Sequence, residues 1–144
     1  MRRFSIGFAA LTVASTMIMV VAALAADPSG VWLSADGDVK MKVAHCGAAI
    51  CSTIAWLKMP NDDRGKPKTD KNNPDPGKRS RPIKGVPIIL GMTADGADKW
   101  SGDVYNAEDG KTYSGSFTLT GANSANLKGC VAIICKTKTW TRAH

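Results

Sequence analysis

Thr112-Tyr113-Ser114-Gly115-Ser116-Phe117-Thr118-Leu119-Thr120 is the stretch on which the fold turns. Tyr113, Gly115, Phe117 and Leu119 fall on one face, and Thr112, Ser114, Ser116 and Thr118 on the other. Apolar and polar residues alternating with a period of two describe a strand with one face inward and one in water. Asp109-Gly110 before it and Gly121-Ala122-Asn123 after it supply turn chemistry. Working outward, Val39, Met41, Val43 and His45 repeat the pattern, opposite Lys40, Lys42 and Cys46. The period and its turns predict eight strands: 30–35, 38–46, 51–58, 86–92, 99–106, 112–120, 125–131 and 135–142. No helical period is sustained anywhere in this region.

Eight antiparallel strands in a single domain over residues 26–144 predict an all-β, up-and-down barrel, which removes exposed edges by closing on itself. A two-sheet sandwich is the competing arrangement. A barrel of this size is filled by side chains or holds one small ligand.

The N-terminus follows different rules. Arg2 and Arg3 precede an uncharged run from Phe4 to Ala26, and Ala23-Leu24-Ala25 places small residues where signal peptidase cuts. Residues 1–25 therefore read as a signal peptide, and the mature chain as periplasmic or secreted. Export also argues against a nucleic-acid partner. Of the formal +7, two charges lie in the leader; 17 basic and 12 acidic residues remain, a net +5.

Export decides the reading of the cysteines. Cys46-x4-Cys51 and Cys130-x4-Cys135 are compatible with a four-thiolate zinc site or with disulfides, and an oxidising compartment favours the latter. Of three possible connectivities, the expected one is Cys46–Cys51 and Cys130–Cys135, each across a hairpin turn. With Cys46 opposite Cys51 and both outward, Ile54 and Trp56 point inward. With Cys130 and Cys135 outward, Lys136, Lys138, Trp140 and Arg142 point inward. Burying two unpaired lysines is costly, so either a bulge shifts the phase or that end of the interior is wet.

Residues 59–85 form a long proline-rich basic loop between strands 3 and 4. Lys58 to Lys84 contains nine basic and four acidic residues, the whole of the mature net charge. Arg79 and Arg81 suit bidentate contact with phosphate or carboxylate. A plain solvated loop is the competing reading. His45, on an apolar face, reads as a core or lumen histidine. No catalytic constellation, metal-ligand set or cofactor motif stands out.

Gly30-Val31-Trp32 and Thr139-Trp140-Thr141-Arg142 resemble the opening and closing strands of the calycins, the group of lipocalins, fatty-acid-binding proteins and avidins. That resemblance implies structural roles for Gly30, Trp32 and Arg142, with the Arg142 cation over the Trp32 indole at the closed end of the barrel. The whole mature chain also resembles a family of small exported bacterial proteins, domain of unknown function 2147. The matching residues include Cys46-Gly47, Ile54-Ala55-Trp56-Leu57, Asn73-Pro74-Asp75-Pro76, Arg79-Ser80-Arg81-Pro82-Ile83-Lys84-Gly85, Trp100-Ser101-Gly102 and Tyr105-Asn106-Ala107-Glu108-Asp109-Gly110. Ser52 and Ala107 depart from the family pattern, which often has Gly and Pro there. The resemblance implies fold and location and brings no assigned activity.

The expected function is that of a non-enzymatic, monomeric barrel binding a small amphipathic or anionic ligand. Trp56, Tyr113 and Phe117 would line the lumen, Lys136 or Lys138 would anchor a carboxylate, and Arg79 and Arg81 would guard the mouth. The alternative is an envelope interaction module that meets anionic glycopolymer, lipid or a protein partner through the basic loop.

Overall fold

The computed structural model describes residues 16–20 and 26–144. The expected signal peptide over 1–25 lies outside them, save for 16–20. Eight strands follow one another around a closed barrel, each antiparallel to its neighbours: β1 (Gly30–Ser34), β2 (Val39–Cys46), β3 (Ala49–Leu57), β4 (Pro87–Ala94), β5 (Lys99–Asn106), β6 (Lys111–Gly121), β7 (Ser124–Val131) and β8 (Ile134–Arg142). Closure comes from β1 pairing with both β2 and β8.

The alternation along β6 holds: Phe117 is fully buried, and Tyr113, Gly115 and Leu119 share its inner face. Trp32, Met41, Val43, Ile89, Met92 and Phe117 fill the half of the barrel where the chain enters and leaves. Trp32 meets Phe117 edge-to-face at 5.5 Å. Phe117 is therefore part of the packed core, and the expectation that it lines a lumen is corrected.

The closed end is plugged as the calycin resemblance implies. The Arg142 guanidinium lies 4.3 Å from the Trp32 ring centroid. It donates to the carbonyls of Ser29 at 2.6 Å, Asp27 at 3.2 Å and Ala122 at 3.1 Å. Trp32 Nε1 donates to Pro28 O at 2.9 Å. Gly30 makes room for this arrangement: its φ is 134°, and a Cβ there would lie 2.8 Å from the Arg142 guanidinium.

Both expected disulfides form, Cys46–Cys51 and Cys130–Cys135, on hairpins at opposite ends of the barrel. No four-thiolate site is possible. The first hairpin is tighter than the sequence reading, because Gly47-Ala48 alone makes the turn. Cys46 therefore pairs with Ala49 and Cys51 with Ala44, and the bridge runs diagonally on the outer face.

Two side chains face differently from expectation. Met41 pairs with Ile54 but Lys40 with Trp56, so Ala55 is an extra residue in β3. Such a bulge flips the phase of the strand. Trp56 therefore points outward, 40% exposed, with the Lys40 ammonium 5.2 Å from its ring. It does not line the lumen. His45 has the inward phase but sits at the rim, where the inner face is open to water; it is exposed and lies 3.2 Å from Asp27 Oδ1.

Candidate functional site

At the other end the barrel opens. The β1–β2 turn, the long loop, the β5–β6 turn and the β7–β8 hairpin all gather there. β1 is short: its pairing with β8 stops at Ser34↔Trp140, so β8 runs on past the barrel wall from Thr139 back to Ile134. The mouth leads into a cavity of about 1350 Å³. This is larger than the about 300–1,000 Å³ of a typical small-molecule pocket. Its floor is apolar, formed by Val39, Ile54, Ile88, Val104, Leu127 and Trp140.

The register settles the facing of the lysines on β8. Lys138 lies directly across from Leu127 and Lys136 from Gly129, both on the inner face. No bulge intervenes. Their positive charge is tolerated because the wall beside them has ended and the site is wet, the second of the two alternatives raised by the pattern. Lys138 pairs with Asp36 at 3.5 Å and lies 5.9 Å from the Trp140 ring. Among the described residues, Lys136 has no ion-pair partner.

Lys58, Lys66, Lys68 and Lys71 also reach the cavity, together with six carboxylates. Four of those carboxylates already have donors. Asp38 accepts from the Ser34 hydroxyl at 2.6 Å, which holds its pKa below the usual value. Asp62 accepts from the backbone N–H of Arg64 and of Lys66. Asp36 meets Lys138. Asp109 accepts from the Tyr113 hydroxyl and from the Lys111 backbone. Burial opposes the ionisation of Asp109, but these donors prevail and its pKa is lowered. The bond to Asp109 in turn raises the pKa of Tyr113, so the phenol stays protonated at the cavity wall. Tyr113 and Lys138 both border the cavity.

The basic loop is not a free tether. It doubles back on itself through the bridge pairs Asn61↔Pro67 and Thr69↔Pro82, with a short 3-10 turn at Pro76–Lys78. Its anchor is Asp70, whose carboxylate is fully buried. Asp70 accepts from the Tyr105 hydroxyl at 2.7 Å, from Asn73 Nδ2 at 2.8 Å and from the Arg81 guanidinium at 2.9 and 2.8 Å. Burial pushes its pKa up, yet the donors from Tyr105, Asn73 and Arg81 outweigh burial and the net shift is downward. Burial, with the adjacent carboxylate, raises Tyr105. A second contact ties the loop to the β5–β6 turn. Asn72 donates to Glu108 O at 2.7 Å, and Gly110 has φ 71° with Asn72 O only 1.7 Å from where a Cβ would stand.

This corrects the expected role of the two arginines. Arg81 is engaged with Asp70, and Arg79 donates to Asn73 O at 2.7 Å. Neither lines the cavity. They hold the loop's shape, and the charge presented to the mouth comes from lysines. The sequence reading missed Asp70, Tyr105 and Asn73; the one available signal was Asn73-Pro74-Asp75-Pro76, a piece too defined for a linker.

An up-and-down barrel with eight strands, one end plugged by an Arg–Trp stack and the other open on a cavity, is a lipocalin-like fold. The chain belongs to the bacterial family described as "Uncharacterized protein conserved in bacteria (DUF2147)", whose profile matches residues 30–142. Among solved structures it is similar to protein HP1028 of Helicobacter pylori, described as belonging to the lipocalin family. The two share 21% identity, with 82% of this chain and 84% of that one covered and a TM-score of 0.70. A redesigned β-barrel also matches, at 14% identity over 81% of this chain and 91% of that one, with a TM-score of 0.46. No curated protein matches the sequence.

Proposed function

We propose that this protein is an exported, non-enzymatic carrier that holds a small anionic amphiphile in its barrel. The observation that carries the reading is the placing of Lys136 and Lys138 on the inner face of β8, above an apolar floor. An apolar pocket with a few polar anchors is how small-molecule sites obtain both affinity and orientation. The hydrocarbon part would lie against Ile54, Ile88, Val104 and Leu127. A carboxylate or phosphate would take Lys136, which borders the cavity on the inner face of β8. Two disulfides support an oxidising compartment, in keeping with the periplasm or the exterior.

Calorimetric titration with hexadecanoate and with the matching alcohol tests this. The acid should bind one to one and more tightly than the alcohol. Lys136→Met with Lys138→Met should weaken the acid by about tenfold or more, as loss of a charge-assisted contact implies, and leave the alcohol unchanged. Equal affinities for acid and alcohol in the native protein would remove the anchoring role of the lysines.

A further inference from the structure

The β7–β8 hairpin ends in a feature that the cavity uses only in part: Val131 and Ile134 border the mouth, and Ile133 does not. Its tip is Val131-Ala132-Ile133-Ile134, with Val131 58%, Ile133 96% and Ile134 71% exposed. Two-residue hairpin turns favour Asn, Asp and Gly. Here the turn is Ala132-Ile133, and Ala132 adopts φ 53°, a conformation that glycine takes without strain. The chain uses glycine at positive φ at other turns, including Gly37, Gly47, Gly96 and Gly110. Aliphatic side chains are thus kept at the tip at some conformational expense, and Cys130–Cys135 clamps the hairpin directly below them. Met59, 69% exposed at the start of the loop, borders the same mouth.

The charge around this tip is one-sided. From Ser124 to Thr141 the hairpin has three basic residues and no acidic one. The loop, at the same end, carries nine basic and four acidic residues. Lys40, Lys111, Lys128, Lys136 and Lys138 offset Asp36, Asp38, Asp103, Glu108 and Asp109, so the open end keeps a net +5 while the rest of the chain from residue 26 is neutral. The molecule is therefore polarised along the barrel axis, with the apolar tip at its positive end.

We infer that the β7–β8 tip is a membrane-docking element. Val131, Ile133 and Ile134 enter the headgroup–acyl boundary of an anionic lipid bilayer, and the lysines around them meet lipid phosphates. A convex tip of three aliphatic side chains offers far less than the about 800 Å² per partner that a stable protein interface buries. Shallow apolar insertion combined with basic residues is what an anionic bilayer surface selects. Docking in this orientation turns the cavity mouth toward the membrane. The inference does not require the cavity to be filled.

Flotation with phosphatidylcholine vesicles, with and without about one-third phosphatidylglycerol, tests it. The full mature chain should float with the anionic vesicles and not with the neutral ones, and about 0.5 M salt should release most of it. Ile133→Asp, at a side chain exposed enough not to disturb the fold, should reduce binding by about tenfold or more. Ile133→Asp should still bind hexadecanoate at the native affinity, because Ile133 does not border the cavity, so failure of this inference and failure of the carrier reading are told apart. Failure of the native chain to float with anionic vesicles, or flotation of Ile133→Asp at the native level, overturns the proposal.

Discussion

Asp70→Ala should destabilise the protein by about 3 kcal/mol, the lower end of what breaking a buried ion pair costs, because Arg81 keeps about a third of its side-chain surface in water. The loss is large because one carboxylate serves three partners. Removing it leaves the Tyr105 hydroxyl without its acceptor in a buried site, leaves the Asn73 amide with the Tyr105 oxygen alone, and leaves the Arg81 guanidinium unmatched. The loop from 59 to 85 should then detach from the barrel before the barrel melts. Urea unfolding followed by circular dichroism gives the first quantity, and limited proteolysis within the loop gives the second. The pH dependence has a definite sign. The folded pKa of Asp70 lies below its ordinary value. Its stabilisation is therefore complete above about pH 4 and is lost as pH falls through the lowered value. Asp70→Asn should lack that part of the acid dependence while keeping the side chain's volume. A change under about 1 kcal/mol on Asp70→Ala would mean that the loop is held by other contacts.

Trp32→Ala should be at least as damaging, at about 3–5 kcal/mol. Trp32 is fully buried, meets Phe117 edge-to-face, and is the surface on which Arg142 rests. The truncation opens a void at the plugged end and takes away the ring under a cation whose other contacts are three backbone carbonyls. Trp32→Phe should recover most of the packing but not the bond from Nε1 to Pro28 O, at a net cost of about 1–2 kcal/mol. The midpoint of urea unfolding reads both variants. Native-like stability of Trp32→Ala would show that the Arg–Trp plug is dispensable.

The barrel was legible because its two determinants are local. Alternation in β6 and β2 gives strands, and Gly or Asp-Gly at the connections gives hairpins. The cysteine spacing was legible for the same reason, whereas the pairing of Gly30-Val31-Trp32 with Arg142 is what the calycin resemblance implies. Trp56 was misread because nothing in Ile54-Ala55-Trp56 marks Ala55 as a bulge; that depends on how β2 and β3 register. His45 was misread because period two reports a face and not a depth, and its face is solvated at the rim. Arg79 and Arg81 were misread because a charge run conceals its own partners. Asp70 lies eleven residues before Arg81, and only folding of the loop brings it into contact with Tyr105 on β5. For Lys136 and Lys138 the phase left a bulge or a wet interior open, and what decides for the second, the early end of β1, is a property of the assembled barrel.

The carrier reading is tested most directly by native mass spectrometry of the protein isolated from its own source, without detergent. The expected spectrum contains, beside the bare chain, a non-covalent complex with a carboxylate- or phosphate-bearing amphiphile. The complex should be lost from the Lys136→Met, Lys138→Met variant prepared in the same way. Recovery of the bare chain alone, followed by no uptake of hexadecanoate from solution, would contradict a ligand-holding barrel.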